Sequence, residues 1–310
     1  MAGEIRSLLI VGAGAVGAAV AGIVADREPS AVSILAGGER IRRYEQRGFL
    51  LNGVRRDFSL VSPADCSEPG LVIVAVKSYQ LSQAIEDMRN HVGPSTLVLS
   101  LLNGISSEDM LAAAFGRDRV PIAMILGIDA VREGNSTRFS GTGRIHFGDA
   151  ANVKGSWSER VSRIARFFER TGVAYDVPED MIRSLWYKFM INVGINQASA
   201  VLRAHYGVFQ TMPEAKEVME SAMRETVTLS KSMGTGLSDT DVARWYDTLT
   251  KLAADGKTSM LQDVEARRKT EVEAFAGTVI ELGEAAGLAV PVNRTLFNLI
   301  RAIERGYGCA

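Results

Sequence analysis

Leu8–Ala25 reads LLIVGAGAVGAAVAGIVA, and the interpretation of this uncharged run decides the fold. Its length lies near the threshold for a membrane span or a signal-peptide core. Against both stand its glycines, Gly12, Gly14, Gly17 and Gly22, and a flank of Glu4 and Arg6 that lacks the basic character of a signal sequence. A buried strand over Ser7–Val11, turning into a small-residue helix that ends near Asp26, accounts for the glycines. In that reading Gly12 allows the tight turn, Gly14 lets backbone approach a pyrophosphate, and Gly17 lets the helix pack close to the strand. The helix N-terminus then offers unpaired N–H groups and a favourable dipole to the phosphates. Gly12, Ala13, Gly14, Ala15, Val16 and Gly17 are therefore the candidate cofactor loop. The competing reading is a glycine turn with a structural role alone.

Working outward, the next strand is expected over Ala31–Leu35, and its tip is where an adenosine ribose is read. An acid there favours NAD and an arginine favours NADP. The tip carries Ala36-Gly37-Gly38, followed by Glu39, Arg40, Arg42 and Arg43. Arg40 or Arg43 could reach a 2′-phosphate, Glu39 could accept from a ribose hydroxyl, and a solvated helix face explains all of them equally well; the balance leans to NADP. Phe49–Leu60 alternates and contains Asn52-Gly53, a hairpin signal. Leu71–Val76 and Ser95–Leu102 are apolar runs of the kind buried in a parallel sheet. They lead into Lys77 and Asn103-Gly104. Ligands of open α/β sheets bind beyond the carboxyl ends of the strands, so Lys77 and Asn103 fall where a nicotinamide and its substrate would meet. A solvated strand end and an ordinary turn residue are the alternatives. Val120–Gly148 is strand-like, Ser156–Thr171 helical, and Val173–Val177 resembles an edge strand.

After Pro178-Glu179-Asp180 the pattern becomes helical throughout, with 3.6-type periodicity over Val218–Met233, Asp241–Leu252 and Met260–Ala286. The chain thus divides into an α/β domain of Rossmann type over residues 1–179 and an all-helical domain over 180–310. Ser184–Ala200, SLWYKFMINVGINQASA, is oily on most sides and interrupted by Lys188, Asn192 and Asn196. Each step of four residues advances ~40° around a helix, so these three form one polar stripe. A lysine on an otherwise buried helix is costly without a partner, which favours a ligand-lined cleft over an amphipathic helix with a narrow wet edge. Ser259 and Gln262 fit a capping box at a helix start that could also receive a carboxylate. Glu265, Arg267, Arg268, Lys269, Glu271 and Glu273 follow along the same expected helix, and pattern alone singles out none of them.

The whole chain carries 46% hydrophobic residues and a net charge of −1, so no global field points to nucleic acid or an anionic membrane. Cys66 and Cys309 are far apart and the three histidines are scattered, so no metal site is expected and the cysteines are read as reduced, in a cytoplasmic protein.

GAGAVG at Gly12–Gly17, VKSYQ at Val76–Gln80, LNG at Leu102–Gly104, LWYKFMINVGIN at Leu185–Asn196 and SMLQD…TE at Ser259–Glu271 together resemble the ketopantoate reductase (2-dehydropantoate 2-reductase) family across essentially the whole chain. The resemblance implies a Rossmann domain, an all-helical C-terminal domain and an active site in the cleft between them. It implies reduction of the small 2-keto acid 2-dehydropantoate by NADPH to (R)-pantoate, for pantothenate synthesis. Carried over by position, Lys188 would donate the proton to the carbonyl oxygen, and Asn192, Asn196 and Ser259 would hold substrate. Gly12–Gly17, Lys77, Asn103, Ala130 and Glu271 would lie along the cofactor, with Asn103 and Glu271 also close to substrate. Two positions depart from the family pattern. Gly37 stands where similar proteins place an arginine for the 2′-phosphate, which leaves NADH open beside NADPH. Tyr206 stands near a position where some members use asparagine, which admits a related 2-keto acid. A dinucleotide-binding redox sensor without catalysis is the rival from another class, and a homodimer is left open.

Overall fold

A computed structural model describes residues 3–308; Cys309, one of the two cysteines considered above, lies outside the described residues. Two compact units share the chain. One runs to Leu102 and resumes over Ser107–Ile182; the other takes Asn103–Ser106 and the chain from Arg183 onward.

In the first unit the elements are β1 (Leu8–Val11), α1 (Ala15–Ala25), β2 (Val32–Leu35), α2 (Glu39–Arg47), β3 (Phe49–Leu51), β4 (Val54–Arg56), β5 (Ser59–Val61), β6 (Leu71–Val74), α3 (Leu81–Asp87), β7 (Leu97–Ser100) and α4 (Ser107–Phe115). They continue with β8 (Ile122–Ile128), β9 (Val131–Glu133), β10 (Ser136–Arg138), β11 (Thr142–Gly148), α5 (Glu159–Thr171) and β12 (Tyr175–Asp176). The main sheet is parallel in the order β5-β2-β1-β6-β7, with Ile10 level with Ile34 on one side and Ile73 on the other. Side chains alternate across a strand, and here both faces are covered. Leu8, Ile10, Leu71, Ile73, Leu97 and Leu99 join one core cluster with residues of α1 and α5. Leu9, Val11, Val72, Val74 and Val98 join another with Leu81, Ile85 and Leu111 of α3 and α4. That is why these strands read as unbroken apolar runs instead of alternating.

Phe49–Leu60 splits in two. β3 and β4 form the antiparallel hairpin expected from Asn52-Gly53, whose φ values of +48° and +82° suit a tight hairpin turn. β5 instead leaves the hairpin and pairs parallel with β2 at the edge of the main sheet. The remaining strands make two small sheets, β4-β3-β10-β9 and β12-β11-β8.

From Met181 onward the chain is helical: α6 (Met181–Ile191), a π turn over Asn192–Asn196, α7 (Gln197–Leu202), α8 (Tyr206–Thr211), α9 (Pro213–Ser232), α10 (Asp239–Leu249), α11 (Ser259–Glu265), a second π turn over Glu273–Gly277, α12 (Thr278–Ala286) and α13 (Pro291–Arg305). Phe189, Val193, Phe209, Met219, Met223, Phe275 and Ile300 are among the residues of their common core. Met260–Ala286 is therefore not one helix. Ala266 ends α11, Arg267 turns left-handed at φ +51°, and Glu271 sits beyond that break. Among the described residues no helix is long and apolar enough to cross a membrane.

Gly194 sets the approach of the first π turn to α9. A Cβ built there would lie 2.5 Å and 2.6 Å from Met223 side-chain atoms and 2.9 Å from the Met219 carbonyl oxygen. The methionine can move; the backbone oxygen cannot without shifting α9. Gly194→Ala is expected to destabilise the protein by about 1–3 kcal/mol, the usual range for overpacking a filled core, read as a lower urea midpoint with an unchanged slope.

Candidate active site

In the first unit, the glycine loop separates into three roles. Gly12 has φ +95°, and a Cβ on it would fall 2.6 Å from a Val76 methyl and 2.8 Å from the backbone of Ala75 and Val76. The turn therefore lies against the segment that leads from β6 into Lys77. A Cβ on Gly17 would lie 2.1 Å from the Gly12 carbonyl oxygen, so α1 packs on β1 only with glycine there. Gly14 is different: a Cβ on it would meet only the Ala75 carbonyl oxygen, at 3.8 Å. Nothing in the protein demands a bare backbone at Gly14, and a ligand approaching it closely would. Gly14 is also the N-cap of α1, with no side chain accepting from the first turn and no acid within it. Uncapped N–H groups with the positive end of the helix dipole suit a pyrophosphate, so the residues present fit a dinucleotide.

The other residues expected along the cofactor are spread through this unit. Arg40 is exposed in the first turn of α2. Arg43 instead lies over the ring of Tyr44 at 5.7 Å. Lys77 precedes a short 3₁₀ turn, where its N–H donates to Gln80 Oε1 at 3.3 Å. Ala130 follows β8, in a different sheet from the glycine loop.

The second unit gathers the residues expected around substrate. Lys188 lies one turn before Asn192 on α6 and is only 9% exposed, among buried Leu185, Trp186, Phe189 and Met190. The π turn begins at Asn192. Such insertions cluster at functional sites because they re-aim side chains without breaking the helix. Here Asn196 Nδ2 donates to Asn192 Oδ1 at 3.0 Å, and Asn196 Oδ1 accepts from Ser259 Oγ at 3.3 Å and the Met260 N–H at 3.4 Å. Asn192 Nδ2 is buried and, among the described residues, has no hydrogen-bond partner. A donor in that state is an open demand for an acceptor, since buried polar groups are normally paired. Asn103 and Glu271 form a second pair, with Asn103 Nδ2 donating to Glu271 Oε2 at 3.2 Å. Beside them Gly104, at φ +95°, comes close to the Ala274 carbonyl oxygen, which a Cβ would meet at 3.3 Å. Tyr206 opens α8, its ring packed on Gly256, where a Cβ would lie 2.9 Å away, and burial raises its phenol above the ordinary value.

Two residues that pattern reading passed over complete this arrangement. Gln197 is fully buried; its Nε2 donates to the Val193 carbonyl inside the π turn at 2.7 Å and to Asn293 Oδ1 at 3.0 Å. Its signal was a long amide on an otherwise apolar helix. The capping assignment also shifts by one residue. Thr258, not Ser259, is the N-cap of α11, accepting from the Leu261 N–H at 3.1 Å and pairing with Ser199 Oγ. Ser259 is thereby left to face Asn196. The difference has a stability signature: Thr258→Ala is expected to lose about 1–2 kcal/mol, as for a removed N-cap hydroxyl, and clearly more than Ser259→Ala, which leaves Asn196 Oδ1 still paired with the Met260 N–H. Equal losses in thermal or urea unfolding would refute the assignment.

Comparison with known proteins adds relatives to this geometry. The family model described as "Ketopantoate reductase PanE/ApbA" matches residues 8–152, and its C-terminal companion, "Ketopantoate reductase PanE/ApbA C terminal", matches residues 180–304. The 2-dehydropantoate 2-reductase of Halobacterium salinarum is 28% identical over 304 residues, covering 96% of this chain and 99% of that protein. That of Pyrococcus horikoshii is 28% identical over 302 residues, covering 96% and 97%. Among solved structures, a PanE/ApbA family ketopantoate reductase from Ralstonia eutropha has a TM-score of 0.84 at 26% identity, covering 97% of this chain and 99% of that one. D-mandelate dehydrogenase with NADH and anilino(oxo)acetate has a TM-score of 0.88 at 20% identity over the same coverage, a likeness of fold. With both halves of the chain matched by its models, this protein belongs to the ketopantoate reductase family.

Proposed function

We propose that the chain is a 2-dehydropantoate 2-reductase, a cytoplasmic enzyme that reduces 2-dehydropantoate to (R)-pantoate for pantothenate synthesis. Supporting it are the family membership, the names of the full-length relatives, and above all the unpaired Asn192 Nδ2 beside Lys188, Asn196 and Ser259. When bound, the nicotinamide dinucleotide supplies the hydride that adds to the keto carbon, and NADPH is the form that the resemblance implies.

Each side chain then has a task. Negative charge develops on the ketone oxygen as reduction proceeds, and an ammonium hydrogen-bonded to that oxygen stabilises it more than it stabilises the neutral ketone. Lys188 fills this role and releases its proton to the oxygen, leaving the alcohol and a neutral amine. Asn192 donates its free N–H to the acid, and Ser259 and Asn196 complete the polar wall without adding charge. Glu271 and Asn103 hold each other where nicotinamide and substrate approach. Gly12–Gly17 carry the pyrophosphate, with Lys77 at the neighbouring strand end.

A second reading, reduction of a related 2-keto acid, is favoured by Tyr206, whose aromatic ring occupies space on Gly256 where a smaller amide would leave room for substrate. A panel of 2-keto acids separates the two readings by which one is turned over. Lys188→Ala is expected to lower kcat by ~10²–10⁴, the usual range for a positioned acid, with dinucleotide affinity retained in a titration without substrate. A variant that keeps near-normal turnover removes Lys188 from the chemistry.

A further inference from the structure

Glu271 is buried but lies in no helix, so the chain around it is held by other means. Between the end of α11 at Glu265 and the second π turn, which starts at Glu273, Thr270, Glu271 and Val272 are buried in succession. Buried backbone N–H groups need acceptors, and outside a helix no ladder supplies them. For Thr270 the acceptor comes from α13. Glu304 Oε1 takes both the Thr270 N–H at 2.7 Å and the Thr270 hydroxyl at 2.6 Å. The same hydroxyl accepts from the Val272 N–H at 3.3 Å. The Glu271 carbonyl receives the Ala274 and Phe275 N–H groups at 3.0 Å and 3.2 Å. Backbone is thus fixed on both sides of Glu271, whose carboxylate accepts from Asn103 Nδ2. Glu304 is itself held: Arg301, one turn earlier on α13, stands 3.7 Å from its Oε2 and also pairs with Glu273 of the π turn.

We propose that Glu304, acting through Thr270, is a positioning residue for Glu271 in the reduction, an inference that rests on the proposed place of Glu271 beside nicotinamide and substrate. An ionised acceptor makes stronger and shorter hydrogen bonds than a neutral one. Two donors of one residue on a single carboxylate oxygen fix both the backbone of Thr270 and the rotation of its hydroxyl. That hydroxyl in turn sets the Val272 N–H, so the two peptides flanking Glu271 share one anchor on α13. Among the described residues the hydrogen bonds of Glu304 go to Thr270 alone, which makes its effect on the site indirect. An ordinary tie between α13 and a loop would also stabilise the fold, but it would leave turnover untouched.

Steady-state reduction of 2-dehydropantoate by NADPH, measured on the full chain beside urea unfolding, separates the two. Glu304→Ala is expected to lower kcat/KM about tenfold or more, the scale of a small misplacement at a reacting centre. Glu304→Gln keeps an oxygen able to accept from both Thr270 donors and is expected to stay within about threefold of the wild type. Glu271→Ala is expected to be impaired as well, and adding Glu304→Ala to it should cost less than about a further twofold in kcat/KM, the mark of coupled residues, while the urea midpoint still falls. If Glu304→Ala does not fold, Thr270→Val removes the shared hydroxyl and is expected to lose about threefold or more, with Thr270→Ser restoring the rate. A Glu304→Ala variant with a lower urea midpoint and unchanged kcat/KM, or losses that multiply in the double variant, overturns the proposal while leaving Glu271 in place. A Glu271→Ala variant with full kcat/KM removes Glu271 from the proposed function, and the role of Glu304 falls with it.

Discussion

The helical half of this protein depends on keeping one buried amide satisfied. Asn196 is 6% exposed, and a primary amide so far from water needs partners for both of its ends. It finds them on two different elements: its nitrogen on Asn192, a turn earlier, and its oxygen on Ser259 and the Met260 N–H at the start of α11. One side chain thereby ties the π turn to a second helix and fixes the orientation of Asn192. The π turn is secured in turn by Gln197, which donates to the Val193 carbonyl and reaches Asn293. Asn293 passes the connection on to Glu225, whose carboxylate accepts the Val292 and Asn293 N–H groups at the start of α13. Burial makes each link costly to break, which makes a chain of amides a stiff mount for the polar groups of the π turn.

The glycines of the first unit separate structural need from ligand need. Gly12 and Gly17 are required by the protein's own packing, and their absence of side chain says nothing further. Gly14 is not so required, and it caps a helix that has no side-chain acceptor of its own. Sequence could assign the turn at Gly12 and the close packing at Gly17 because strand, turn and helix are contiguous there, and local chemistry dictates local geometry. The same holds for the parallel strands, whose unbroken apolar character reflects burial on two faces.

Legibility fell where spatial neighbours decide the outcome. The stripe of Lys188, Asn192 and Asn196 is visible as spacing, but spacing implies a regular α-helix, and no local residue announces the π turn; Gly194 and the amide of Gln197 permit it only through α9 and α13. Periodicity puts Glu271 on the helix of Ser259, although α11 ends at Glu265 and Arg267 beyond it is left-handed. An arginine at that position carries none of the glycine signal by which a helix end is recognised. Thr258 and Ser259 are equivalent as candidate caps by chemistry, and only the Ser199 partner on α7 distinguishes them. The hydrogen bond between Asn103 and Glu271 spans 168 positions in the chain, a separation at which periodicity is silent and only resemblance had linked the two.

A buried donor left unpaired bears on the choice between an enzyme and a dinucleotide sensor. Leaving Asn192 Nδ2 without an acceptor costs about 1–3 kcal/mol by the usual measure of a desolvated, unmade hydrogen bond, and the cost falls in the helical unit. A protein that only reported dinucleotide occupancy would draw its recognition from the glycine loop. Exchange of Asn192 for an apolar residue would relieve that cost only by orphaning Asn196 Nδ2, so the oxygen end of Asn192 has a structural reason and its nitrogen end does not. The unpaired nitrogen makes physical sense where a ligand supplies the acceptor, as the carboxylate of the proposed keto acid would. Local rules are broken most intelligibly where function takes the benefit. One donor without an acceptor, one turn after Lys188 and joined through Asn196 to Ser259, is the feature that a sensor reading leaves without a use.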